Sequence, residues 1–173
     1  MNPHFPELLA GGDLRTIGAS NSIVRQVSTQ EAFDELFACT RHPNRKVVMR
    51  SLDAIEKITA EQPQFLAGHK KELLALLEIA EHKEAKWHLA QLVPRLPSTT
   101  NETGRVWHQL TQWALDKGES RIVRALSVQA LHDLLSRVPQ LQEDLVYTAT
   151  RMHAEQIPSI NARIRKLKLL PKK

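Results

Sequence analysis

The chain has 173 residues, of which 42% are apolar and 25% charged, with one cysteine and a formal net charge of +5. That is enough for a domain with a sizeable core, and no run approaches the ~20 apolar residues that a bilayer-crossing helix needs. A lone Cys39 excludes an internal disulfide and a cysteine zinc cluster, and the opening MNPHFPELLAGGD has neither a basic leader nor a long apolar stretch, so a cytoplasmic protein with no membrane partner is expected.

Residues 1–28 read as an N-terminal capping segment. FPELLA at 5–10 predicts a short helix stopped by Gly11 and Gly12. GGDLRTIG at 11–18 reads as a turn-rich connection with Leu14 and Ile17 as apolar plugs; it lacks the glycine spacing of a phosphate loop. Ser20 is the expected N-cap of a short helix through Val27. Helices this short do not persist alone, so the segment is expected to dock on the helices after it.

Residues 29–173 read as a single repeat domain. Ser28 and Glu31 have the spacing of a capping box, opening a helix that turns Phe33, Leu36 and Phe37 inward and stops at His42-Pro43. Asn44 caps the next helix, which ends before Pro63. A further pair is expected at about residues 65–80 and 84–96, with Pro94 shortening or kinking the second. Thr99 and Glu102 form another capping box, before Val106, Leu110 and Trp113 on one face, and Gly118 ends that helix. Ser120 caps a helix running through Val138. Leu141, Leu145, Ala149 and Met152 mark another, and Pro158 precedes a last one carrying Ile160, Ile164 and Leu167. No segment shows the alternation of a strand.

Three of these helices repeat at a spacing of 38 residues. VVMRSLDAI from Val47, AKWHLAQLV from Ala85 and VRALSVQAL from Val123 place apolar or small residues at the same offsets. Pro63 and Pro139 lie two periods apart, and the last helix slips by about one residue from the frame. A period of this length predicts stacked helical hairpins, in which each unit buries its apolar face against its neighbours.

The three copies resemble HEAT repeats of the armadillo-like class, best at Val123-Arg124 through Leu131. Where the repeat has Asp, this chain has Asn44, His82 and Ser120; where it has Arg, the chain has Val48, Lys86 and Arg124. The chain is also similar to small bacterial HEAT-repeat proteins whose N-terminal portion resembles LLAGGDLRTIG. The resemblance implies an all-α fold: a right-handed α-solenoid of three to four hairpins with an N-terminal cap. It also implies a non-catalytic adaptor or scaffold that binds a protein partner on its concave surface.

With Val47, Ala85 and Val123 facing inward, the opposite stripe carries Arg50, Asp53, Glu56 and Lys57, then Trp87, His88, Gln91 and Arg95, then Gln129, His132 and Asp133. Mixed charge with an aromatic suits a protein partner better than a phosphate backbone, which favours an unbroken positive track. A second reading is nucleic-acid binding through the basic C-terminus, where Arg163, Arg165, Lys166, Lys168, Lys172 and Lys173 meet no acidic residue. Without these six, 18 basic side chains face 19 acidic ones in residues 1–159, so the body is near neutral. A third, weaker reading is DNA base excision, for which Trp113, Asp116 and Arg151 would be the matching residues. Eight histidines lie scattered with no metal-binding spacing, Cys39 reads as a packed thiol, and no metal or cofactor is expected.

Overall fold

A computed structural model of the chain describes residues 5–11 and 20–170. Among the described residues there are ten α-helices and no strands. They are α1 (Phe5–Ala10), α2 (Ser20–Gln26), α3 (Gln30–Ala38), α4 (Arg45–Glu61), α5 (Lys70–Ile79), α6 (Lys83–Leu92), α7 (Thr100–Leu115), α8 (Arg121–Leu134), α9 (Gln142–Ala154) and α10 (Pro158–Lys166). The N-caps of α4, α6 and α8 are Asn44, His82 and Ser120, spaced by the 38-residue period, and that of α10 is Ile157, one residue short of it. The side chains of Asn44 and Ser120 accept hydrogen bonds from Lys46 N–H and Val123 N–H, respectively. The turn expected at residues 11–18 lies outside the described residues except for Gly11, as do Lys172 and Lys173.

Two compact units comprise residues 1–69 and 70–173, so the expected division at 28/29 falls inside the first. In that unit α3 and α4 form a hairpin, and α1 and α2 both pack on α4. Val47, Leu52, Ala54, Ile55 and Ile58 are the buried apolar face of α4. Phe33 stacks on Phe65 with ring centroids 5.2 Å apart, and Phe37 stacks on His69 at 3.9 Å. Gln30 donates to the Phe65 carbonyl, and His69 Nε2 lies 2.7 Å from Asp34. These ties to α3 draw residues 63–69 into a 3₁₀ turn, which corrects the expected α-helix beginning near residue 65.

The second unit is three hairpins, α5/α6, α7/α8 and α9/α10. The first helices line up as α5, α7 and α9, and the second helices as α6, α8 and α10, giving two layers. Leu89, Ala90, Leu92, Val106, Leu110, Trp113, Val123, Val128, Leu131, Leu145, Ala149, Ile160 and Ile164 form its core. Polar ties join adjacent repeats. Arg124 forks onto Glu155 at 2.8 and 2.9 Å, Lys86 pairs with Glu119, and Trp107 Nε1 donates to Asp144 at 2.6 Å. Ala85 is only half-buried, unlike Val47 and Val123, so its repeat packs less deeply at that offset.

Several helix ends differ from expectation. Thr29, not Ser28, caps α3, because its hydroxyl is the one within reach of the Ala32 N–H; Glu31 is then one position short of a capping box. α8 ends at Leu134, short of Val138, and α6 ends at Leu92, where Pro94 forces a 3₁₀ turn at Val93–Arg95. α7 ends at Leu115 because Asp116 turns back to accept from Gly118 N–H at 2.8 Å.

The capping box of Thr99 and Glu102 is present in full. The Thr99 N–H donates to Glu102 at 2.7 Å, and the Lys70 ammonium lies 3.0 Å away; in that order they hold the carboxyl down at about 2 against an ordinary 4.5. A depressed folded-state pKa contributes stability that is complete above pH 4.5 and is lost as pH falls from there to about 2. Urea unfolding midpoints measured between those limits should therefore fall less steeply for Glu102→Gln than for the parent chain. Equal slopes would show that Glu102 has no such linkage.

Candidate functional site

In each second helix the ninth and thirteenth residues after the N-cap fall on one face, since a step of four residues nearly completes a helical turn. On α4 they are Asp53 and Lys57; on α6 and its 3₁₀ turn, Gln91 and Arg95; on α8, Gln129 and Asp133. In the second unit these positions line a groove of about 350 Å³, with Arg163 of α10 on its far side and Ala90, Leu126 and Ala130 as its apolar floor.

The polar walls are connected. Arg163 Nη1 donates to Gln129 Oε1 at 2.7 Å, and Gln129 Nε2 donates to Asp133 at 2.8 Å. That relay orients the amide and the guanidinium together. At the other wall, Arg137 donates to the carbonyls of Leu96 and Pro94 at 2.5 and 2.6 Å and so pins the turn that carries Arg95. His132 lies beside Asp133 at 3.5 Å. A groove built this way has fixed hydrogen-bond donors of both charged and neutral kinds over an apolar base. It is equipped to hold a polar chain segment, and it contains no nucleophile paired with a base.

Of the residues expected on the binding stripe, Gln91, Arg95, Gln129 and Asp133 meet in this groove, and His132 lies beside Asp133. Trp87 is half-buried on α6. Four expectations need correction. Arg50 is fully buried and donates to the carbonyls of Leu9, at 2.5 Å, and Gly11. His88 is buried at 6% exposure, in edge contact with the Trp87 ring. Asp53 accepts from Ser20, and Lys57 bridges Asp53 and the side-chain amide oxygen of Asn21 at 2.7 and 2.8 Å. The stripe on α4 is thus occupied by α2 and is not a free surface; for the same reason the Ser20 hydroxyl is spent on Asp53.

The C-terminal cations also divide. Arg163 belongs to the groove, while Arg165 and Lys166 are exposed on α10. Lys168 adopts φ 55° in a Schellman ending, with Leu169 N–H donating to the Ile164 carbonyl and Lys168 N–H to that of Arg165. Sequence reasoning missed Arg163 as a groove wall and Arg137 as its brace. The repeat frame contained the first clue, since Arg163 stands as far from its N-cap as Leu126 does from Ser120.

The residues for base excision do not form a site. Trp113 is in the core with the Lys86 ammonium 5.6 Å from its ring, Asp116 closes a turn with Gly118, and Arg151 lies over the Tyr147 ring at 5.9 Å. Burial pushes the Cys39 thiol up to about 11, which leaves it unreactive at neutral pH. Among the described residues no three His, Cys, Asp or Glu side chains gather as a metal site, and no helix is long and apolar enough to cross a membrane. A second cleft of about 450 Å³ lies between α5 and α7, floored by Leu74, Leu77 and Val106.

Comparison with curated proteins found no match, and comparison with solved structures found none. The family profile described as HEAT repeat domain matches residues 15–169, and with its paired helices repeating at 38 residues the chain belongs to the HEAT repeat family.

Proposed function

We propose that the protein is a non-catalytic interaction module that seats a segment of a protein partner in the groove between α6, α8 and α10. HEAT repeat domains are in general protein-interaction scaffolds, and the observation that carries the reading here is the braced set of donors over an apolar floor. A groove built on helices loses little freedom when it binds, which favours affinity. The groove offers two guanidiniums over an apolar floor, and not the extended positive track that a phosphate backbone favours.

A photo-crosslinking amino acid placed at Leu126 should join the chain covalently to a partner protein in cells. The same residue at Gln109, in the other layer, should yield no such adduct. Identical adducts from both positions, or none from Leu126, would refute the reading.

A further inference from the structure

Deepening that reading, we infer that the segment held in the groove is acidic, with a carboxylate bridging Arg95 and Arg163. The inference rests on the proposal that the groove is the binding site, and on three observations about its charge.

First, the groove has two guanidinium walls and a single acidic one. The Asp133 carboxylate is turned to the Gln129 amide and lies beside His132, so it acts within the wall and orients Arg163 through Gln129. Second, Arg163 spends one donor on Gln129, and a guanidinium has five, in a planar fork that matches a carboxylate. Third, the surroundings are basic on the α10 side. Lys166 stands one turn beyond Arg163, Arg165 is exposed beside it, and residues 160–170 contain no acidic side chain. An incoming anion therefore meets positive potential before contact and a fixed fork at contact. The apolar floor of Ala90, Leu126 and Ala130 and the amides of Gln91 and Gln129 suit the rest of a peptide.

The test is selection of a phage-displayed library of random dodecapeptides on the immobilised full chain, followed by fluorescence anisotropy of the recovered peptides. The expected result is strong enrichment of Asp and Glu. Arg95→Gln and Arg163→Gln should each weaken binding about tenfold and together roughly a hundredfold, the usual cost of losing charge-assisted bonds. Arg165→Gln should change it less than about twofold, since exposed charges outside the contact are screened. Thermal melts of the variants check folding, and Arg163→Lys, which keeps the charge but loses the fork, should fall between the parent and Arg163→Gln.

Recovered peptides without acidic enrichment, or binding that survives the double variant, overturn the inference. If such peptides are still lost on Leu126→Glu, the groove remains the binding site and only its acidic preference falls. If they survive Leu126→Glu as well, both readings fall. A fluorescein-labelled DNA dodecamer that binds more tightly than any selected peptide, and is lost in the double variant, also overturns it in favour of a phosphate ligand.

Discussion

Arg124→Ala should lower the unfolding free energy by about 3 kcal/mol or more. Arg124 is 2% exposed, its guanidinium forks onto Glu155, and its Nε donates to the Ala114 carbonyl at 2.9 Å. The side chain ties α8 to the end of α7 and to the turn after α9, so its loss opens a cavity and strands a carbonyl and a carboxylate at once. Glu155→Gln should be costly for the converse reason, since it leaves a buried guanidinium without its counter-charge. Replacing both residues by methionine should cost much less than the two single changes added together, because no charge is then left unmatched. A double-mutant cycle in urea measures that coupling. Single-variant losses below about 1 kcal/mol would show that the pair behaves as an ordinary surface ion pair. The Arg124 bonds hold the Glu155 carboxyl below its ordinary 4.5, so the coupling should be complete above that pH and shrink as pH falls beneath it.

The second large effect is expected at the other end of the chain. Arg50→Met should cost about 2–3 kcal/mol, because it removes donors from the carbonyl of Leu9, which is buried, and from that of Gly11. The Leu9 carbonyl lies in the last turn of α1, where a helix leaves its carbonyls without intrahelical partners, and Gly11 follows directly. α1 is too short to persist without docking, so the loss should be local. Hydrogen exchange read by mass spectrometry should quicken in residues 5–11 well before it does in α8. Unchanged protection of α1 in Arg50→Met would mean that Phe5 and Leu9, both buried, hold the helix by themselves.

Arg50 also illustrates why the candidate binding face was legible only in part. As a sequence position it is a basic residue opposite an apolar stripe, which is where solvent normally lies. Burial came from α1 and the Gly11 that follows it bringing two carbonyls to Arg50, and from α2 bringing Ser20 and Asn21 to Asp53 and Lys57. Gln91, Arg95 and Gln129 hold the equivalent or neighbouring offsets on α6 and α8, where the second unit leaves a groove. The same pattern of residues thus met two different fates, decided by what packed against it. Arg163 shows the reverse: read as part of a basic tail, it became a wall once α10 lay against α8.

The repeat, the helical class and most helix boundaries were legible from the chain itself. Asn44 and Ser120 cap where they were expected to, and Thr99 with Glu102 makes its box. Phe33, Val47, Leu110, Val123 and Ile160 turn inward as their spacing requires. All of these follow from interactions within one or two helical turns, where the 3.6-residue period and the unsatisfied end groups act whatever lies beyond. The groove, the two buried arginines and the covered face of α4 required the tertiary structure. Whether a long charged side chain reaches solvent, a carboxylate or a pair of carbonyls depends on groups brought near it from about a repeat away in the chain, and no local pattern carries that information.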